Sequence, residues 1–204
     1  MVKVFDSSAA RVRLLGDRIR KGALVIFPTD TVYGLGCDPF NENAIVRILE
    51  VKRRESKPMP LLSSSIETVR RVAILTPAAR KLADLFWPGA LTLVLEPKII
   101  FNRNLMNRRG EVGFRIPRSP FARKLASEVG GIIVGTSANI SGRPAASTLK
   151  EALRQLGSKV DLAVNGGKLP GTPSTVVSFV CDDVKVVREG AIATSDIMKA
   201  VEGL

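Results

Sequence analysis

The chain has 204 residues, with 31 Lys and Arg against 19 Asp and Glu, a formal net charge of +12, and no histidine. The lack of histidine excludes Ser-His-Asp hydrolases, Cys-His proteases and histidine-containing zinc or iron sites. The two cysteines occur without a CxxC spacing, which excludes a thiolate metal site and a disulfide framework. The basic composition favours a polyanionic partner, either a nucleic acid or the phosphates of a nucleotide.

The general composition is that of a folded globular protein, with 45% hydrophobic and 25% charged residues. The length fits one domain, and no linker or repeat divides it, so we expect a single domain over 1–204. No apolar run approaches the ~18 residues that a membrane span needs, and the N-terminal residues lack the apolar core of a signal peptide. We therefore expect a cytoplasmic protein with no membrane partner.

The first predicted elements are a helix, a strand and a second helix. Asp6 or Ser7 is predicted to cap a helix whose apolar residues recur at helical spacing. The apolar run 23–27 predicts a buried strand, and the apolar spacing within 41–51 predicts the second helix.

The rest of the chain continues the alternation. Ser64 and Glu67 have the spacing of a capping box, while Thr76 and Ser119 each precede a proline, as in an N-cap followed by proline at the first helical position. The last predicted helix covers about 195–201. Six further segments are rich in β-branched residues or alternate in polarity and are predicted as strands: 91–95, 112–116, 131–134, 160–164, 174–180 and 184–187.

Interleaved strands and helices predict an α/β domain with helices flanking the sheet. Several strands follow one another too closely for a helical crossover. We therefore expect one open, twisted sheet that is mixed or mostly antiparallel.

Polar or basic loops follow several of these strands. The segment 27–36, FPTDTVYGLG, is rich in hydroxyl groups at a strand end, where open α/β sheets bind ligands, although a capped turn anchored by its tyrosine explains it equally well. Lys52, Arg54 and Lys57 lie at the predicted end of a helix. Cations there either bind a phosphate or form a solvated helix end.

The second half of the chain offers similar loops. Ser137 and Asn139 are two residues apart, so an extended backbone puts both side chains on one side. They could bind phosphate or polarise a reacting oxygen, or form a local Asx or Ser turn. Ser174, Arg115 and Arg188 also lie at strand ends. The glycines match neither GxGxxG nor GxxxxGK[ST], so a bound nucleotide must be held by cations and hydroxyls. So many such loops in one domain predict a single shared cleft.

Together these segments resemble the YrdC/Sua5 family of threonylcarbamoyl-AMP synthases, which begin the threonylcarbamoyladenosine modification of tRNA. The resemblance is to the short, YrdC-like form rather than to the Sua5 members that have a second C-terminal domain. The matching segments run in order along nearly the whole chain: FPTDTVYGLG, Lys52-x-Arg54 with Lys57-Pro58, the WPGALT segment at 87–92, Arg115-Ile-Pro117, Ser137-x-Asn139 followed by SGRP, Ser174-Thr-Val-Val177, and Arg188-x-Gly-Ala-Ile192.

The resemblance implies a concave, basic α/β domain that joins L-threonine, bicarbonate and ATP into threonylcarbamoyl-AMP and releases pyrophosphate. Mg²⁺ would be bound through the ATP phosphates rather than by a protein metal site. The implied threonine-binding residues are Thr31, Arg115, Gly135 and Ser174. The implied ATP-binding residues are Lys52, Arg54, Lys57, Ser137, Asn139, Ala145 and Arg188, with Lys52 and Arg54 acting in catalysis.

The resemblance also implies partners. A downstream tRNA threonylcarbamoyl transferase would consume the product, and the basic cleft could contact tRNA or double-stranded RNA. A competing hypothesis is a nonenzymatic protein that binds double-stranded RNA or associates with ribosomes through that cleft, and its affinity would fall steeply with salt. A third hypothesis is a related enzyme that carbamoylates an acceptor other than threonine.

Overall fold

The computed structural model describes residues 2–53, 58–180 and 183–202. Within these ranges the helices are α1 (Ala9–Arg20), α2 (Glu42–Lys52), α3 (Ile66–Val72), α4 (Pro77–Phe86), α5 (Pro120–Glu128), α6 (Leu149–Leu156) and α7 (Thr194–Val201). The strands are β1 (Lys3–Asp6), β2 (Val25–Pro28), β3 (Tyr33–Gly36), β4 (Leu61–Ser63), β5 (Leu91–Leu95), β6 (Val112–Arg115), β7 (Ile132–Val134), β8 (Thr136–Ser137), β9 (Leu162–Asn165), β10 (Thr175–Val180) and β11 (Asp183–Arg188).

These strands form two open sheets. One has the order β1-β9-β2-β3-β8 and the other the order β11-β10-β5-β6-β4-β7. Both are mixed: β2 is parallel to β9 and antiparallel to β3, while β5 is parallel to β10 and antiparallel to β6. The predicted α/β class with open, mixed strand pairing and flanking helices is confirmed. The expectation of one sheet is wrong, because local sequence patterns identify strands without specifying their partners.

The predicted helix caps at Thr76 and Ser119 are confirmed, and Asn41 caps a third helix in the same way. The side chains of Asn41, Thr76 and Ser119 accept hydrogen bonds from backbone N–H groups in the first turns of α2, α4 and α5. Each bond satisfies a donor that has no partner within the helix, which is why these residue types fix a helix start. None of the helices in the described ranges has the length and apolarity that crossing a membrane requires.

Two predicted helix starts are wrong. α1 begins after Ser8 rather than after Asp6 or Ser7, since β1 occupies the chain up to Asp6. α3 begins after Ser65, which accepts from the backbone of its first turn, so Ser64 does not form the predicted capping box. Both predictions are displaced by one or two residues, because adjacent hydroxyl side chains offer equivalent caps and packing selects between them.

Four short strands and one helix were not predicted: β1, β3, β4, β8 and α6. Strands of two to four residues are too short to show a periodic pattern. β3 pairs with β2, so the FPTDTVYGLG segment is a hairpin whose connecting turn covers 29–32. α6 begins at a capping box formed by Thr148 and Glu151.

The two sheets meet where β3 passes β7. Val134 N donates to Cys37 O at 3.0 Å, and a Cβ added at Gly36 would lie 2.3 Å from Val134 O. Only glycine permits this approach of the two backbones.

The predicted apolar face of α1 is confirmed, because Val12, Leu15 and Ile19 are buried in one cluster with residues of α5 and β2.

Candidate functional site

A cavity of about 590 Å³ lies between the β2–β3 turn, β8 and the strands β5, β6, β10 and β11. Small-molecule sites typically enclose about 300–1,000 Å³. The sequence predicted one shared cleft, and six of its candidate residues lie in the wall of this cavity: Thr31, Arg115, Gly135, Ser137, Ser174 and Arg188.

Other predicted site residues do not lie in this wall. Lys52 is fully buried, and its ammonium donates to the carbonyl oxygen of Ser137 and, at 2.8 Å, to that of Asn139. The lysine therefore fixes the backbone of the loop that carries both residues. Arg54 and Lys57 lie outside the described residues, so their placement at ATP stays a prediction.

The side chain of Asn139 is buried within the same loop. Its Nδ2 donates to the carbonyl oxygens of Ile140 and Arg143, while its Oδ1 has no hydrogen-bond partner among the described residues. Ala145 is half-buried and does not line the cavity. In the described part of the chain, no group of three or more acidic or cysteine side chains could hold a metal ion.

Arg115 lies at the end of β6 and is 5% exposed. Its Nε donates to Gly89 O at 2.8 Å, its Nη1 donates to Thr31 Oγ1 at 2.9 Å, and its Nη2 lies 2.8 Å from Asp30 Oδ1. Burial lowers the pKa of Arg115, and the Asp30 carboxylate opposes that shift. These contacts hold the guanidinium in one orientation at the cavity wall.

Ser174 connects Arg188 to the same end of the cavity. Its Oγ shares a hydrogen bond of 2.9 Å with Thr92 Oγ1, and its carbonyl oxygen accepts from Arg188 Nη2 at 2.8 Å. Desolvation lowers the pKa of Arg188, and the charge of Arg188 in turn lowers the pKa of Arg115. Ser174 thus places a second guanidinium group beside the cavity wall that carries Arg115.

A second group of charges also lines the cavity. Glu111 accepts hydrogen bonds from Asn107 Nδ2 at 2.7 Å and from Arg109 Nε at 2.9 Å. Lys185 on β11 also lies in the wall. Counting Arg115 and Arg188 with these, the wall contains four cationic side chains and one acidic side chain among the described residues.

Sequence reasoning missed two residues beside the predicted threonine-binding set. Asp30 lies between two threonines in the FPTDTVYGLG segment, and a carboxylate at a strand end was the available signal. Thr92 lies in the WPGALT segment, where nothing local distinguishes it from an ordinary strand threonine. Both become recognisable only through their contacts with Arg115 and Ser174.

Gly135 is expected to tolerate no side chain. A Cβ added there would lie 2.3 Å from Leu62 Cγ, and Leu62 is 2% exposed, so it has little room to move. We expect Gly135→Ala to lower the free energy of unfolding by about 1–3 kcal/mol, measured by urea denaturation. Combining it with Leu62→Ala removes the colliding atoms, so the double variant should lose less stability than the sum of the two single variants. Additive losses would contradict the steric explanation.

Comparisons with known proteins agree with the sequence resemblance. The sequence profile of the Sua5/YciO/YrdC family, described as "Telomere recombination", matches residues 17–190. A threonylcarbamoyl-AMP synthase of Nitrosococcus oceani is 36% identical over 170 residues, which are 81% of this chain and 91% of that protein.

Two solved structures share the fold over most of this chain. The crystal structure of P. abyssi Sua5 complexed with L-threonine matches with a TM-score of 0.90 and 32% identity, over 99% of this chain and 60% of that one. E. coli YciO matches with a TM-score of 0.87 and 28% identity, over 95% and 98% of the two chains. This chain therefore spans about three fifths of the length of P. abyssi Sua5.

Proposed function

This chain belongs to the Sua5/YciO/YrdC family, and on that premise we propose that it is a threonylcarbamoyl-AMP synthase. The reaction joins ATP, L-threonine and bicarbonate into threonylcarbamoyl-AMP and pyrophosphate. In the cytoplasm it would be the first step of the threonylcarbamoyladenosine modification of tRNA, with a tRNA threonylcarbamoyl transferase consuming the product. The observation that carries the proposal is one cavity whose wall combines a buried guanidinium, hydroxyl groups and several cations.

The amino acid would bind at the Arg115 end. A guanidinium has five N–H donors and can bind a carboxylate through two of them, and the fixed orientation of Arg115 suits that geometry. Thr31 and Ser174 offer hydroxyls that both donate and accept, which suits the hydroxyl and amino groups of threonine. The related P. abyssi Sua5 has been crystallised with L-threonine, which supports this assignment.

The triphosphate would bind along the part of the wall that includes Ser137 and Arg188. Lys52 supports this region by holding the Ser137–Asn139 backbone, while Arg54 and Lys57 remain the predicted phosphate ligands. Mg²⁺ would be held by the ATP phosphates rather than by a protein metal site, and Asn139, whose Oδ1 has no hydrogen-bond partner among the described residues, would shape the loop beside it. Bound on the phosphates, Mg²⁺ would neutralise their charge.

The chemistry requires no histidine. The amine of threonine attacks the carbon of bicarbonate, which forms the C–N bond of a carbamate and releases water. A carbamate oxygen then attacks the α-phosphorus of ATP, and the bond from that phosphorus to the pyrophosphate oxygen breaks. Alignment of the two substrates and neutralisation of phosphoryl charge are the contributions expected of the protein.

Pyrophosphate release by the purified protein tests the proposal. With ATP, bicarbonate and Mg²⁺, release should require L-threonine, and serine should be a poorer substrate. Arg54→Ala and Arg188→Ala should reduce release by at least about tenfold, because each removes a cation from the phosphates. The matched control is Arg154→Ala, an exposed arginine on α6.

Other outcomes identify the competing hypotheses. Release triggered by a different amine, and not by threonine, would indicate a related enzyme with another acceptor. No release with any amino acid by the folded protein would contradict enzymatic function. Steeply salt-dependent binding of double-stranded RNA would then support the RNA-binding hypothesis.

A further inference from the structure

The Asp30 carboxylate and the Arg115 guanidinium are in contact but do not form an aligned hydrogen bond. Asp30 Oδ1 and Arg115 Nη2 are 2.8 Å apart, yet neither atom has a hydrogen-bond partner among the described residues. The Arg115 side chain is 6% exposed and that of Asp30 is 16% exposed. Since water screens so buried a pair weakly, each charge acts strongly on the other and on any ligand beside them.

Without Asp30, this end of the cavity would be strongly cationic. Arg188 is the other charged side chain that perturbs Arg115, and its effect is repulsive. An uncompensated buried guanidinium attracts any small anion that fits, since burial of a lone charge is costly. Asp30 supplies the opposite charge and makes the pair formally neutral.

We propose that Asp30 makes this end of the cavity select a zwitterionic amino acid over a simple carboxylate anion. This inference rests on the proposed function, in which Arg115 binds the substrate carboxylate. A monoanion is attracted by Arg115 and repelled by Asp30. A zwitterion experiences the same two effects on its carboxylate, while its ammonium group is attracted by Asp30 and repelled by Arg115. The pair therefore favours a zwitterion whose carboxylate lies nearer Arg115 and whose ammonium lies nearer Asp30.

The selectivity has a direct use in the proposed reaction. Bicarbonate is itself a small anion and must be present together with threonine. If Arg115 were uncompensated, bicarbonate would compete with the threonine carboxylate for the guanidinium. With Asp30 in place, Arg115 remains available to the amino acid. Asp30 is thus a positioning residue that determines specificity through Arg115.

Direct binding of two ligands by isothermal titration calorimetry tests this inference without ATP or turnover. The ligands are L-threonine and 3-hydroxybutyrate, which keeps the carboxylate and hydroxyl of threonine but lacks its amine. In the wild-type protein, threonine should bind at least about tenfold more tightly, since the charge of Asp30 is weakly screened beside the cavity and attracts the ammonium group of threonine. In Asp30→Asn, this preference should fall to about threefold or less, because 3-hydroxybutyrate is no longer repelled.

Two further variants separate charge from structure. Asp30→Glu retains the charge and should retain the preference for threonine. Asp196→Asn removes one negative charge at an exposed position on α7 and should leave both affinities unchanged.

The outcomes distinguish this inference from the proposed function. Equal affinities of the wild-type protein for the two ligands would overturn the inference, whether or not Asp30→Asn folds. An unchanged preference in Asp30→Asn would also overturn it, while leaving the proposed function intact. Failure of the wild-type protein to bind threonine would overturn the proposed function and, with it, this inference.

Discussion

Arg115→Lys should reduce threonine-dependent pyrophosphate release by at least about a hundredfold, because charge-assisted hydrogen bonds contribute about 1.5–3 kcal/mol each and the substitution loses at least two. A lysine has one nitrogen, so it cannot bind Gly89 O, Thr31 Oγ1 and Asp30 while also binding a carboxylate through two donors. The loss should be largest in kcat/KM for threonine, measured at saturating ATP.

Lysine is a more informative test substitution than alanine at position 115, because it keeps the positive charge beside Asp30. Alanine would leave Asp30 buried without its counter-charge, which typically costs about 3–5 kcal/mol, and the variant could lose activity by unfolding. Arg118→Lys is the matched control, since Arg118 is exposed three residues further along the chain. A value of kcat/KM for threonine in Arg115→Lys close to that of the control would contradict the placement of the carboxylate at Arg115.

Lys52→Met should lower both stability and ATP affinity. The substitution keeps the length of the side chain but removes the donor to the carbonyl oxygens of Ser137 and Asn139. Asn139 N still donates to Ser137 O at 2.9 Å, so the substitution leaves the carbonyl oxygen of Asn139 as the acceptor that loses its donor, and the free energy of unfolding should fall by about 1–3 kcal/mol, measured by urea denaturation. The loosened loop should weaken ATP binding by more than about tenfold, since a shift of about 1 Å at a positioning group is enough to do so.

The two measurements on Lys52→Met separate two roles for this lysine. If Lys52 acts by fixing the loop, stability and ATP affinity fall together. If its ammonium serves only the phosphates, as the sequence resemblance implies for a catalytic residue, ATP affinity falls while the free energy of unfolding is unchanged. Lys124→Met, at an exposed position on α5, is the control and should change neither quantity.

The helix caps illustrate what local sequence can specify. Thr76 and Ser119 are predicted as caps from the residues around them, because a capping bond joins groups only three residues apart. The same limited range explains the errors at α1 and α3, where neighbouring polar residues offered equivalent caps. The short strands β1, β3, β4 and β8 were missed because they exist through pairing with distant strands rather than through a local pattern.

The sequence by itself determined the α/β class, the family and six of the residues that line the cavity, because motif segments and polar strand ends are local features. The tertiary structure alone decided how the strands divide into two sheets and which polar groups meet. Asp30 contacts Arg115, Thr92 contacts Ser174, and Lys52 reaches the Ser137–Asn139 loop across long stretches of chain. These contacts depend on strand order and on the close backbone approach at Gly36, and no spacing within the sequence encodes either.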